Sequence, residues 1–124
     1  MKSSLRILSI GAAEPMRVAY DIFLQLHRCE LASAADYRDL YALPTEEKWE
    51  IAVLYHSLSQ EEMRESAHFI RRRWPEARIL IVRSEAPCMD DALYDDRVVP
   101  GVNPEVLLAV VDRLAGSRER KLTA

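Results

Sequence analysis

The side chains able to do chemistry in this chain are few and poorly grouped. His56 and Ser57 stand side by side, and a serine next to a base is how acyl transfer begins. Adjacent residues project in different directions, however, and no orienting carboxylate or Gly-x-Ser-x-Gly turn accompanies them. His56 therefore reads as a loop histidine. His27 and His68 fall in helical stretches with no second ligand four residues on, which makes them poor metal ligands. The acidic group Asp90, Asp91, Asp95 and Asp96 lacks the spacing of a twelve-residue calcium loop and reads as a solvated short helix. Arg71, Arg72 and Arg73 close a helix, where cations suit the negative end of the dipole and water solvates them. Beside Trp74, and with Trp49 elsewhere in the chain, they also have the composition of a binding hot spot. Gly11-Ala12-Ala13 precedes a helix and leaves backbone N–H groups uncovered, a weak site for an anion or a nucleotide phosphate. Arg83 would be its cationic partner across the cleft. A lone glycine falls short of the glycine-rich fingerprint, and tight turn packing is the competing reading.

Short apolar runs alternate with stretches of helical period, the pattern of a parallel sheet covered on both faces. Strands are expected at Arg6–Ile10, Cys29–Ala32, Ile51–Tyr55, Arg78–Val82 and Arg97–Val99. The first helix is expected over Pro15–His27, with Met16, Ala19, Tyr20, Phe23 and His27 on one face and proline at its first position. A weaker helix spans Asp36–Leu43. The third is marked by a Ser59/Glu62 capping box, a stripe of Met63, Ala67, Ile70 and Trp74, and a stop at Pro75. A short fourth helix is expected near Pro87–Tyr94. The fifth has Asn103 as cap and Pro104 first, turns Val106, Leu107, Val110 and Leu114 inward, and ends at Gly116. Right-handed crossovers then give a five-stranded parallel sheet of order 2-1-3-4-5, a flavodoxin-like α/β three-layer sandwich whose functional cleft lies outside strands one and three.

With these elements in place the chain resembles, from about Leu5 to Leu114, a receiver domain of bacterial two-component response regulators. Ile7-Leu8-Ser9-Ile10 is similar to that family's first strand, which ends in paired acidic residues that hold magnesium; here the pair falls on Gly11 and Ala12, with Glu14 nearby at the start of the helix. Neither Gly11 nor Ala12 supplies a side-chain oxygen, and magnesium is usually held through carboxylates. Glu50-Ile51-Ala52-Val53-Leu54 resembles the third strand, and the phosphoacceptor aspartate becomes Tyr55, whose phenol cannot form an acyl phosphate. The fourth-strand Thr or Ser falls on Arg83, or on Ser84 with a shift of one residue. Val98 to Glu105 resembles the fifth-strand signature, with its lysine replaced by Pro100, its proline by Gly101 and its aromatic switch residue by Arg97.

The resemblance implies a degenerate receiver, or pseudo-receiver. Such a module would be non-enzymatic, independent of phosphorylation, without cofactor or metal, and would act through another protein. By analogy with receivers its contact surface would include Leu93, Tyr94, Arg97 and the outer side of residues 103–114, with homodimerisation there as a further expectation. An anion or nucleotide binder built on the Gly11 turn is the alternative.

The bulk properties agree with such a module. At 124 residues, 49% hydrophobic and 30% charged, the chain is one domain able to bury a core. The expected organisation is a domain over residues 1–116 followed by a charged tail, 117–124. A net charge of -3 with both signs scattered argues against nucleic acid and anionic membrane as partners. Met1 to Ile10 is too short and polar for a secretory segment, and no apolar run approaches the length of a membrane span. Cys29 and Cys88 have neither CxxC nor metal spacing, so reduced thiols and a cytoplasmic location are expected.

Overall fold

Three runs rich in Ile, Leu and Val form the central parallel strands of a five-stranded sheet, because each is short and apolar on both faces; the two edge strands, Cys29–Ala34 and Asp96–Val98, are more polar and only partly buried. The computed structural model describes residues 5–44 and 48–123, with side chains within 5–44 and 48–116. In chain order the elements are β1 (Leu5–Ile10), α1 (Pro15–Leu26), β2 (Cys29–Ala34), α2 (Tyr37–Tyr41), β3 (Ile51–Tyr55), α3 (Gln60–Arg73), β4 (Arg78–Val82), a single 3₁₀ turn (Asp91–Leu93), β5 (Asp96–Val98) and α4 (Pro104–Thr123). The sheet order is β2-β1-β3-β4-β5, as expected. Ile7 pairs with Ile51 and Ile51 with Arg78, so the carboxyl ends of β1, β3 and β4 reach the same rim.

Alternation along β3 divides the core. Ala52 and Leu54 face α2 and α3, packing with Leu8, Ile10, Met63, Ala67, Ile70 and Trp74. Ile51, Val53 and Tyr55 face α1 and α4, packing with Ile7, Tyr20, Leu24, Leu107, Val111 and Leu114. All five β3 residues are fully buried, which fits the central place of this strand. The Ser59/Glu62 capping box forms in both directions, and the Asn103 side chain accepts the Glu105 amide at 2.9 Å to start α4.

Several boundaries and faces differ from expectation. The inward face of α1 is Arg17, Tyr20 and Leu24, while Ala19 and His27 are exposed. Apolar residues occupy two sides of this helix and its polar stripe of Arg17, Asp21 and Gln25 is partly buried, so periodicity alone does not fix its phase. On α4 the inward residues are Leu107, Val111 and Leu114, and Val106 is 46% exposed. That helix also runs past Gly116 to Thr123, since Gly116 does not take the left-handed conformation of a C-cap and residues 117–122 contain good helix formers. The expected fourth helix is only the turn Asp91–Leu93. Asp95 instead brackets the sheet, accepting from the Ile79 amide at 2.8 Å and pairing with Arg71 at 3.1 Å and Arg78 at 3.4 Å. Arg71 and Asp95 are thus fold ties and not solvated charges, and Asp96 pairs with Arg113. Trp74 and Trp49 are 5% and 7% exposed, too buried to offer a hot spot. Cys29 is buried, Cys88 is exposed, and both are free thiols. No helix among the described residues is long and apolar enough to cross a membrane.

Candidate functional site

The rim above β1 and β3 is formed by the turns 11–14 and 56–59, and the residue types at their closest point determine how near they come. Gly11 has φ +149°, and a Cβ built on it would lie 2.8 Å from Ser57 Oγ and 2.9 Å from Tyr55 Cβ. Only the absence of a side chain permits this approach. Ser57 Oγ then accepts the Ala12 amide at 2.9 Å, and the Gly11 amide donates to the Ala34 carbonyl at 2.8 Å. Glu14 Oε2 lies 3.5 Å from His56 Nε2, a second link between the two turns. The rim is closed by its own residues.

Tyr55 continues the alternation of β3 and turns away from the rim into the core between α1 and α4. It is fully buried, with its ring 6.3 Å from that of Tyr20. Its hydroxyl has no hydrogen-bond partner among the described residues. Burial pushes its phenol well above the usual tyrosine range, and the Asp21 charge pushes the same way; Ser9 and Arg17 act in opposition.

Beneath the β1 turn lies a buried polar group that the sequence reading missed. Arg17, 7% exposed, donates from Nε to the Ala12 carbonyl at 3.1 Å and pairs with Asp21 at 3.2 Å. Ser9 Oγ donates to Asp21 Oδ1 at 2.8 Å, and Arg17 also lies 3.3 Å from Ser9 Oγ. Burial raises the Asp21 carboxyl above its usual range, with the Ser9 bond and Arg17 opposing it. The signal in the sequence was the i, i+4 spacing of Arg17 and Asp21 in an otherwise apolar helix.

Of the other predicted positions, Arg97 is engaged through its side chain and Arg83 and Ser84 through their carbonyls, while Arg83 Nε is buried with no hydrogen-bond partner among the described residues. Arg97 donates to the Arg83 carbonyl at 3.0 Å and the Ser84 carbonyl at 2.8 Å, tying the end of β5 to the segment after β4. Pro100 precedes Gly101, whose φ of +87° turns the chain toward α4, and Tyr20 donates to the next carbonyl, Val102, at 2.6 Å. Leu93 and Tyr94 are partly buried against the α3 side of the core.

This donor set does not suit magnesium. The positions facing the rim offer a glycine hydrogen and an alanine methyl, Tyr55 is turned inward, and the carboxylates of Glu14 and Asp21 already have cationic or histidine partners. Among the described residues no three His, Cys, Asp or Glu side chains converge on a metal position. Of the amides the Gly11-Ala12-Ala13 turn could turn to an anion, those of Gly11 and Ala12 are already bonded within the protein. His56 and Ser57 are likewise drawn apart, one to Glu14 and the other to the Ala12 amide.

No family model matches the chain, and no curated protein matches it by sequence. Solved structures do. The CheY-like response regulator receiver domain protein of Methanospirillum hungatei superposes with a TM-score of 0.82 over 96% of this chain and 99% of that one, at 19% identity. The signal receiver domain of an HD domain-containing protein from Pseudomonas fluorescens gives 0.83 over 99% and 95%, at 12% identity. A Thermotoga maritima response regulator in complex with magnesium and BeF gives 0.73 over 89% and 98%, at 20% identity. At such identities the likeness is one of fold, and the fold is that of a receiver domain.

Proposed function

We propose that this chain is a phosphorylation-independent, receiver-like signalling module, within or derived from two-component signal transduction, that acts by binding another protein. It performs no catalysis, needs no cofactor and works in the cytoplasm. The observation that carries the reading is the approach of Gly11 to Ser57 and Tyr55, which leaves no volume for an acidic side chain at position 11, together with the burial of the phosphoacceptor position, Tyr55, in the core. The receiver fold supports the signalling context, and the engaged amides of Gly11 and Ala12 weigh against the anion-binding alternative. The direct test adds magnesium with beryllofluoride or acetyl phosphate and follows amide NMR shifts. No saturable change is expected at residues 11–14 and 55–59; saturable shifts there would overturn the reading.

A further inference from the structure

Outward-facing positions on a surface helix are normally polar, and α3 obeys this with Glu61, Glu65, His68 and Arg72 exposed. On α1 the outward face is instead Pro15, Val18, Ala19, Ile22 and Leu26, all exposed and apolar, with the exposed, uncharged Gln25 at its edge. Val18 is 40% exposed, Ile22 52% and Leu26 75%, so exposure grows along a single ridge of four-residue spacing. No charge interrupts that ridge. At its N-terminal end stands Glu14, half-buried beside His56, and just past its C-terminal end stands Arg28, exposed, held at φ +69°, and without an ion pair among the described residues.

We infer that a second copy of this chain docks on this face, α1 against α1, antiparallel about a two-fold axis near Ile22. A two-fold contact sets the same patch against itself, which an uncharged ridge tolerates and a charged one does not. Ridges of four-residue spacing interlock at a crossing angle of about -50°. The antiparallel arrangement also brings Glu14 of each copy toward Arg28 of the other, so these two charges at the ends of the ridge are complementary. A partner that recognises α1 by charge has nothing to hold along its length. The apolar area offered is on the order of 300 Å² per copy, against about 800 Å² per partner in a standard interface, so the dimer is a weak, concentration-dependent one. The surface predicted from sequence is less suited: Leu93 and Tyr94 pack on their own core, and Arg97 is bonded to Arg83 and Ser84.

The inference rests on the functional reading only in taking protein contact as the mode of action, and its test reads association alone, so it can fail while indifference to beryllofluoride stands. Sedimentation equilibrium of the full chain from about 10 µM to 1 mM should show a monomer–dimer equilibrium. Ile22→Lys, and separately Leu26→Ser, should weaken it at least tenfold with far-UV circular dichroism unchanged, while Val106→Lys on α4 should leave it intact. Arg28→Glu should weaken association several-fold, and mixing that variant with Glu14→Arg should restore it as a heterodimer. A monomer throughout the range, as with a face reserved for a different protein, overturns the inference. So does a dimer indifferent to Ile22→Lys and Leu26→Ser, or one abolished by Val106→Lys instead.

Discussion

The chain has three glycines, and they form a graded experiment on the closed rim. Gly11→Ala places a methyl 2.8 Å from Ser57 Oγ and 2.9 Å from Tyr55 Cβ, at a φ of +149° that L-residues rarely adopt. Ser57 can rotate away only by releasing the Ala12 amide, and Tyr55 Cβ belongs to a fully buried side chain on the central strand. Backbone strain of about 1–3 kcal/mol and overpacking of about 1–3 kcal/mol, offset by a loss of about 0.5 kcal/mol in unfolded-state entropy, leave a net destabilisation of about 3–4 kcal/mol. Gly101→Ala meets the φ penalty alone, since nothing lies within 4 Å of its Cβ, and should cost about 1 kcal/mol. Gly116→Ala lies within α4 with open space around it and should stabilise by about 0.5–1 kcal/mol. Urea unfolding followed by circular dichroism distinguishes the three, with the Gly11→Ala midpoint falling by roughly 2 M at an ordinary m-value. If Gly11→Ala costs no more than Gly101→Ala, the two turns do not approach as described and the account of the closed rim fails.

Three further outcomes follow from buried and paired side chains. Because the Tyr55 hydroxyl is buried without a hydrogen-bond partner among the described residues, Tyr55→Phe should be neutral or stabilising by up to about 1 kcal/mol; a clear loss in urea unfolding would mean that the hydroxyl is bonded and in use. Burial raises the phenols of both Tyr20 and Tyr55 above their unfolded value of 10.0, so the unfolded chain releases these protons first and stability falls as pH rises beyond that value. Absorbance at 295 nm should show the step of two of the five tyrosines appearing only together with loss of ellipticity, and normal titration of all five in the folded state would contradict this. Asp95→Ala strands the Ile79 amide and two arginines and should cost about 2–3 kcal/mol, most of it recovered by Asp95→Asn if the amide bond dominates, as measured by thermal unfolding.

Much of the architecture was legible because its determinants are local. The three central strands are short runs of branched apolar residues, Ser59 with Glu62 and Asn103 with Pro104 mark helix starts, and right-handed crossovers leave few sheet orders. What escaped were features set by partners distant in sequence. Arg17 reads as a surface residue until Ser9, Ala12 and Asp21 are seen around it. The inward face of α1 was misassigned because apolar residues line both of its faces, and the acidic run near Asp95 looked solvated because Arg71 and Arg78 lie 24 and 17 residues away. At the candidate site the sequence named the positions Gly11, Ala12 and Tyr55, but the closure between them depends on a bond from Ala12 to Ser57 across 45 residues. No periodicity reports such a contact.

That closure makes the departures at the rim interdependent, with a consequence for attempts to rebuild a phosphate acceptor. Tyr55→Asp would remove a fully buried ring from between α1 and α4, a loss of about 3–5 kcal/mol, and would set a carboxyl in the same apolar space beside Tyr20, Leu107 and Val111. Burial favours the protonated form of such a carboxyl, which is a poor nucleophile, and the rim it would need to reach is still covered by the contact of Gly11 with Ser57. Adding an acidic residue at position 11 collides with the same Ser57. Neither change opens the site for the other, since each depends on a turn that the other leaves in place. The single variant should therefore unfold about 4 kcal/mol more easily and take up no phosphoryl group from acetyl phosphate, as read by intact mass. A stable Tyr55→Asp protein carrying a base- and hydroxylamine-labile phosphoryl group would show that the rim opens at little cost, and the closed arrangement of Gly11, Ser57 and Tyr55 would then cease to explain why this fold does without the acceptor.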